Sequence, residues 1–507
     1  MNHLEVHILM EEKNLLVEER LKKLEELKKR GINPYPYNYH KSHHASEVQS
    51  KYTHLKNEEK TEDNVSVAGR VLIFRRMGKA TFASLQDQSG KIQLYFREDQ
   101  MGLDQYEVLK LLDAGDWIGV EGIVLKTKTG EITVFANKLT VLCKSILPLP
   151  EKYHGLQDKE LRYRQRYLDL IVNPEVKERF IKRTKIIDCV RQFLNSHGFL
   201  EVETPVLQVL YGGTNAKPFT THINAYNMPM YLRVAPELYL KRLVVGGFER
   251  IYEIARNFRN EGVDQTHNPE FTMIEWYEAY ADYHVMMDRA EDMYRYIANH
   301  IYGGTKIPVH DKEVDLGPKF PRIRMVDALQ QYLELDVEKM SEKELKNFCE
   351  EKKIDTRGSP SKGNLIFEVF DKLIGPQLES PTWIIDYPKE VSPLSKAHRD
   401  DPRYVERFEC YVGGKEIGDG WSEITDPIAQ RERFESEQAA MRSGKEEAHP
   451  MDEDFIIALE YGMPTLGGIG IGIDRLVMLF TNCWSIRDII FFPTMKPIQE
   501  DKDDHKA

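Results

Sequence analysis

In GGIGIGIDRLVMLF, residues 467–480, glycine occupies every second position from Gly468 to Gly472 and isoleucine fills the positions between. Successive side chains of a strand point to opposite faces, so this pattern reads as a strand with one apolar face and one bare face. Arg475 then opens a helix. A bare face lets a flat base approach the backbone, and it equally permits tight internal packing. The stretch lacks the G-x-G-x-x-G spacing of a dinucleotide loop, and the chain contains no G-x-x-x-x-G-K-[ST] run. Neither a Rossmann site nor a P-loop is expected.

A second chemical stretch lies upstream in NFRNEGVDQTHNPEFT, residues 257–272. Arg259 offers a planar fork for a phosphate or carboxylate, Glu261 can accept from an exocyclic amine, and Phe271 can stack on a purine. His267 and Asn268 stand beside them. Taken alone, the same residues also describe an exposed loop with a salt bridge.

The third stretch is RFECYVGGKEIGDGWSEI, residues 407–424. With Gly413-Gly414 as a hairpin turn, Val412 pairs with Lys415 and Tyr411 with Glu416. Glu409 then shares a face with Glu416 as a diagonal neighbour about 7–8 Å away. Two converging carboxylates call for a cation, and hard Mg²⁺ suits oxygen donors that meet nucleotide phosphates. A solvent-facing pair is the alternative. Glu423 has the opposite parity from Glu416, so it reaches the same pocket only through a bulge, for which Gly418-Asp419-Gly420 is the natural place.

These three stretches, preceded by the helix ERFIKRTKIIDCVRQFLNSHGFLEVETP ending in Pro205, resemble the signatures of the class II aminoacyl-tRNA synthetases. More closely, GINPYP, RRMGKATF, LRYRQRYLDL, TNAKPF, APELYLKRL, HNPEFTMIEWYEAYADYH, SPLSKAHR and EYGMPTLGGIGIGIDR are similar to the lysyl-tRNA synthetases over nearly the whole length. The resemblance implies an α+β chain: an OB-fold β-barrel followed by an antiparallel catalytic sheet flanked by helices. It implies a cytoplasmic homodimer, with Pro205 at the dimer interface, acting on ATP, L-lysine and tRNA(Lys) with Mg²⁺ as cofactor. The ATP site maps to Arg259, Glu261, His267, Asn268, Phe271, Glu409, Glu416, Gly472 and Arg475, with Arg259 and Arg475 catalytic and Glu409 and Glu416 holding the metal. The lysine site maps to Gly213, Glu237, Arg259, Glu275, Tyr277, Asp419, Trp421 and Glu423. Glu237 suits the α-ammonium and Glu275 with Glu423 the ε-ammonium, because a desolvated cation needs paired charge. The chain departs from the family at Asp419, where Asn is usual; an added carboxylate there opposes the substrate's own. Aspartyl- and asparaginyl-tRNA synthetases share these signatures, and a noncatalytic tRNA-binding relative is the remaining alternative.

The remaining residues order themselves around this site. Residues 1–64 read as a helical extension in which EEKNLLVEERLKKLEELKKR, 11–30, pairs Glu18 with Lys22 and Glu25 with Lys29 and stops at Gly31. Lys22, Lys23, Lys28, Lys29 and Arg30 either contact phosphates or form a solvated face. Five short alternating runs over 65–145 suggest an OB barrel whose second and third strands carry Arg75, Phe82 and Gln93 for the anticodon. Residues 146–174 read as a hinge, 175–500 as the catalytic domain with a helical insertion at 321–380, and 501–507 as a disordered tail. KMSEK at 339–343 resembles the mobile loop of class I synthetases, yet Ser341 with Glu344 makes a capping box, so it reads as a helix start. The five scattered cysteines include no C-x-x-C pair and argue against disulfides and thiolate zinc. No apolar run spans a bilayer and the N-terminus lacks a basic signal region. The net charge of -12 excludes nothing, because nucleic-acid binding depends on where the basic groups lie.

Overall fold

The structure, a computed structural model, describes residues 3–150, 156–356, 361–442 and 450–497. The tail expected at 501–507 lies outside them. The chain forms two compact units that divide at Gly155 and Leu156, inside the segment read as a hinge.

In the first unit, helices α1 (His3–Lys29) and α2 (Ala45–Lys51) precede the strands β1 (Lys60–Met77), β2 (Ala80–Gln86) and β3 (Lys91–Arg97). Short helices α3 (Glu98–Met101) and α4 (Leu103–Lys110) lead to β4 (Trp117–Lys126) and β5 (Ile132–Cys143). The strands close into a barrel in the order β1-β2-β3-β5-β4, the OB arrangement that the five runs predict. The first strand begins at Lys60, and Leu27, Ala45, Val48 and Tyr52 share the barrel's core, so the preceding helices are built into this unit. Gly31, at φ 73°, ends α1 in the left-handed conformation that a glycine cap adopts most readily. Among the described side chains of this region the ion pairs are Glu19–Lys23, Glu25–Lys28 and Glu26–Arg30 rather than the expected Glu18–Lys22 and Glu25–Lys29. Lys23 also reaches Asp113 at 2.7 Å, while Lys22 and Lys29 remain exposed.

The second unit begins with α5 (Lys159–Arg164), α6 (Arg166–Val172) and α7 (Pro174–Ser196). Strands β6 (Leu200–Glu201), β7 (Leu207–Gln208), β8 (Thr220–Ile223) and β9 (Met228–Leu232) lead to α8 (Glu237–Val245) and the hairpin β10 (Arg250–Phe258) and β11 (Glu270–Ala279). After α9 (Tyr283–Tyr302) come β12 (Lys306–Val309), β13 (Lys312–Asp315), β14 (Arg322–Arg324), α10 (Met325–Leu333), α11 (Glu342–Glu351) and α12 (Lys362–Leu373). The chain ends with β15 (Thr382–Pro388), β16 (Tyr404–Val412), β17 (Lys415–Ser422), α13 (Pro427–Arg442), α14 (Glu453–Glu460), β18 (Leu466–Gly472), α15 (Ile473–Thr481) and α16 (Ile486–Ile489).

Eight of these strands form one sheet in the order β14-β15-β16-β17-β18-β11-β10-β6, antiparallel except for the two outermost pairs. One face packs on α7, α9 and α15 through Ile274, Trp276, Trp383, Phe408, Ile469 and Ile471. Period-2 alternation sends Met273, Glu275, Tyr277 and the glycines Gly468, Gly470 and Gly472 of β18 to the other face. The segment read as an insertion is tied to the sheet: β14 pairs with β15, and α10 and α12 share a core with Ile384, Tyr387 and Tyr411. KMSEK does start a helix, since Ser341 caps α11 and Glu344 returns the bond.

Candidate active site

The floor of the site is the glycine strand β18, flanked by β11 and β17. Gly470 pairs with Glu275 on one side and Asp419 on the other, and Gly468 with Tyr277 and Trp421. The absence of side chains is a spatial requirement. A Cβ at position 468 would lie 2.2 Å from Glu423 Oε1 and 2.5 Å from the Tyr277 ring.

A bulge brings both ends of β17 to this face. Glu416 faces Tyr411 as the hairpin turn dictates, but Cys410 then faces Gly418, leaving Ile417 as the extra residue. The bulge therefore falls one residue ahead of the Gly418-Asp419-Gly420 segment expected to hold it. Ile417 turns into the main core, and burying that side chain offsets the lost pairing. Glu416, Asp419, Trp421 and Glu423 thereby share one face, and Glu409 stands directly opposite Asp419.

Two adjoining cavities open on the floor. The larger, about 290 Å³, is lined by Arg259, His267, Asn268, Phe271, Glu409, Glu416, Gly472 and Arg475 among others. Arg259 lies with its guanidinium 5.0 Å from the Phe271 ring centre, and its buried Nε has no hydrogen-bond partner. Glu416 accepts from Arg475 Nη1 at 2.6 Å, and that neighbour holds its carboxyl below the ordinary range against the effect of burial. Glu409 accepts from Arg407 Nη2 at 2.6 Å and from the Tyr411 hydroxyl at 2.8 Å. Burial and the negative charges of Glu416 and Asp419 push the Glu409 carboxyl up to about 7 although Arg407 opposes them. Asp419, 3.5 Å from Arg407 Nη2, is pushed up to about 6 by burial and by Glu416. Asn268 is buried and tied to Glu270 and Thr494, whereas His267 is exposed and bonded to Asp264. Glu261 does not line the cavity; its carboxylate accepts from the Lys217 amide at 3.1 Å.

The smaller cavity, about 60 Å³, shares Thr214, Arg259, Met273, Asp419 and Gly470 with the larger one and adds three acids, Glu237, Glu275 and Glu423. Gly213, Tyr277 and Trp421 complete the set expected from sequence. Tyr277 donates to Glu275 at 3.0 Å, and burial together with Glu237 raises the Glu275 carboxyl well above its usual range. Burial also pushes Glu423 up to about 8, while Lys241 pulls against it. Two further residues of the paired cavities carry a weak signal in the sequence, their spacing from an acid. Lys241, fully buried and paired with both Glu237 and Glu423, stands four positions after Glu237 on a helix, where side chains meet. Arg407 stands two before Glu409 on a strand, and so on the same face.

The outer barrel face carries the expected nucleic-acid residues. Phe82 is half-buried between the inward Thr81 and Ala83, and it stacks on Tyr95 at 4.4 Å, which in turn stacks on Phe135 at 5.2 Å. Exposed Arg75 pairs with Phe82 across the strands. Gln93 bonds Glu131 and Thr133. Tyr95 follows Gln93 by two positions, so alternation alone places it on the platform.

The fold and the site together define a class. Class II tRNA synthetases (D, K and N) match residues 158–496, and the OB-fold nucleic acid binding domain matches residues 65–142. Lysine–tRNA ligase of Moorella thermoacetica is 48% identical over 97% of this chain and 100% of its own length. Lysine–tRNA ligases of Pelotomaculum thermopropionicum and Bacillus subtilis are 51% and 49% identical, each over 96% of this chain and over 96% and 98% of their own lengths. The chain belongs to the lysine–tRNA ligase family.

Proposed function

We propose that the chain is an ATP-dependent lysine–tRNA ligase, which forms lysyl-adenylate and pyrophosphate and then transfers lysine to the 3′ end of tRNA(Lys). The observation that carries this reading is the small acidic cavity that meets the larger one at Arg259. A long aliphatic amine fits an enclosure lined by Glu237, Glu275 and Glu423, since desolvating an ammonium is tolerable only beside opposite charge. Glu237 takes the α-ammonium, and Glu275 and Glu423 take the ε-ammonium. Gly213 and Tyr277 shape the pocket.

In this reading the substrate carboxylate is held by Arg259, whose guanidinium also reaches the α-phosphate. The adenine ring lies between Phe271 and Arg475, with Gly472 beneath it. His267 and Asn268 complete the wall. Carboxylate oxygen attacks the α-phosphorus in line, the new P–O bond forms as the bridge to the β-phosphate breaks, and pyrophosphate leaves with its electron pair. Arg259 and Arg475 stabilise the charge that develops, so no side-chain nucleophile is needed. The terminal ribose 3′-hydroxyl then attacks the carbonyl, the bond from the carbonyl carbon to the phosphate oxygen breaks, and AMP leaves with that electron pair while the hydroxyl proton passes to a phosphate oxygen. Glu409 and Glu416, hard oxygen donors on one wall without sulfur or imidazole between them, suit Mg²⁺, which when bound supplies positive charge to the phosphates. Burial raises Glu409 first and the charges of Glu416 and Asp419 add to it, and a cation would relieve that second part.

The Phe82, Tyr95 and Phe135 stack with Arg75 and Gln93 suits single-stranded anticodon bases. A homodimer and a cytoplasmic address complete the proposal. Exposed Val206, Leu207 and Val209 beside Pro205 supply apolar surface for self-association, and no helix among the described residues is long and apolar enough to cross a membrane.

An aspartate or asparagine enzyme would place cationic or neutral groups around the side chain. Lys241 is a cation in this region, but it lies behind Glu237 and Glu423 and does not line the cavity. The test is ATP–pyrophosphate exchange with each of the twenty amino acids. Lysine alone supports exchange, and Glu275→Gln weakens it by about 100-fold, since one partner of a buried charge pair is lost. Exchange with aspartate instead would assign the chain to the other branch, and unchanged lysine use by Glu275→Gln would remove that residue from the site.

A further inference from the structure

Lys241 is a buried cation that the reaction itself does not use. Its ammonium sits between Glu237 Oε1 and Glu423 Oε2, the latter at 2.5 Å, and its side chain has no exposure. Trp421 Nε1 donates to the same Glu423 oxygen at 2.8 Å. Each carboxylate keeps its other oxygen toward space that a glycine leaves open. A Cβ at Gly213 would lie 3.5 Å from Glu237 Oε2, and one at Gly468 would lie 2.2 Å from Glu423 Oε1. Glu423 Oε1 is buried without a hydrogen-bond partner. Both carboxylates line the small cavity, and Lys241 does not.

Resting on the lysine-ligase reading, we propose that Lys241 is a positioning residue of the substrate pocket. Its ammonium ties Glu237 and Glu423 together from behind and turns one oxygen of each toward the two ammonium groups of lysine. A buried ion pair is a poor source of stability, because desolvation offsets most of the attraction, so stability alone gives little reason to keep a lysine here. Positioning gives a reason. Without a fixed cation, two buried carboxylates so close would hold a shared proton more tightly or turn apart, and an arriving ammonium would displace that proton less readily.

Among the described residues, no second cation pairs with Glu237 or Glu423. From β11, Glu275 and Tyr277 face the pair with an acid and a phenol; from β17, Asp419 adds negative charge and Trp421 only a hydrogen bond. Glu253 on β10 is already paired with Arg233 at 2.5 Å. Arg259 stands at the opposite end, where the two cavities meet. Lys241 lowers the carboxyls of both Glu237 and Glu423 against the effect of burial.

The test uses Lys241→Met and Lys241→Arg in the full chain, with pyrophosphate exchange followed from about pH 6 to about pH 9. For Lys241→Met the expected result is a KM for lysine raised about 100-fold, with kcat within about threefold and the KM for ATP within about twofold. The acid limb of kcat/KM moves up by about one pH unit, because carboxylates that lose a cation ionise later. Lys241→Arg keeps the charge but displaces it, so it leaves the acid limb in place and raises the lysine KM about tenfold. A merely structural lysine would lower the melting temperature and move neither quantity, and that outcome overturns the proposal. Should Lys241→Met fail to fold, Lys241→Arg decides alone: a wild-type lysine KM in it overturns the proposal as well. Failure of the wild-type chain to exchange with lysine would instead overturn the ligase reading, which separates the two failures.

Discussion

Glu423 has one carboxylate oxygen held by Lys241 and Trp421 and the other without a partner, and burial raises its carboxyl to about 8. At neutral pH the empty pocket therefore holds a proton there, and an arriving ammonium displaces it. Lysine affinity rises with pH through the region below about 8, where the proton's hold weakens, and levels off above it. Titration calorimetry near neutrality, in two buffers of different ionisation enthalpy, reads this as release of a fraction of a proton; proton uptake would contradict the assignment. Asp419 has the opposite effect. Its carboxyl, at about 6, is mostly charged at neutral pH and draws on the same Arg259 that the substrate carboxylate needs. Asp419→Asn lowers the lysine KM by about threefold to tenfold in steady-state exchange, the gain expected from removing one like charge; a raised KM would show that Asp419 holds the substrate instead. The acids of this pocket were legible because residue type announces charge. Their counter-ions Lys241 and Arg407 stand at the right helical and strand spacing, but that spacing does not single them out, since a lysine or arginine so placed usually ends in solvent and only burial distinguishes these two.

At the scale of the element, β18 shows how a sequence pattern becomes a surface. Alternation alone sends Ile469 and Ile471 into the core and leaves Gly468 and Gly470 as the floor between Glu275, Tyr277, Asp419 and Trp421. That much could be read from GGIGIG. Gly468→Ala forces a methyl against Glu423 Oε1 and the Tyr277 ring. The expected result is destabilisation of about 1–3 kcal/mol from overpacking, seen in thermal or denaturant unfolding. Exchange measured on the folded fraction would lose lysine activation by about 100-fold while ATP still protects the protein against unfolding. Normal lysine activation in that variant would mean that the substrate does not use this floor. The bulge in β17 was legible only in kind. Parity required an extra residue between Glu416 and Glu423, but its position depends on which side chain the core accepts, and Ile417 wins that place by its apolar burial.

Across the whole molecule, two compact units correspond to two kinds of recognition, a nucleic-acid barrel and a sheet with paired cavities. The five alternating runs made the barrel readable, because its strands bury one face and expose the other. The contribution of α1 and α2 to the barrel's core was hidden: among their described side chains few are buried, and a charged helix gives no sign of what its narrow apolar stripe packs on. The edge strand β14 was hidden for a related reason, since three residues are too short for a period to show. Separate units imply separable defects. Phe82 lies on the outer face in a stack with Tyr95 and Phe135, so Phe82→Ala removes a stacking surface without opening the barrel core. Base stacking contributes about 1–3 kcal/mol per base, so the KM for tRNA(Lys) in aminoacylation rises by about tenfold or more. Lysine-dependent pyrophosphate exchange, which needs no tRNA contact, stays at the wild-type rate. Equal losses in both assays would mean that Phe82 supports folding, and no loss in aminoacylation would move anticodon reading off this face of the barrel.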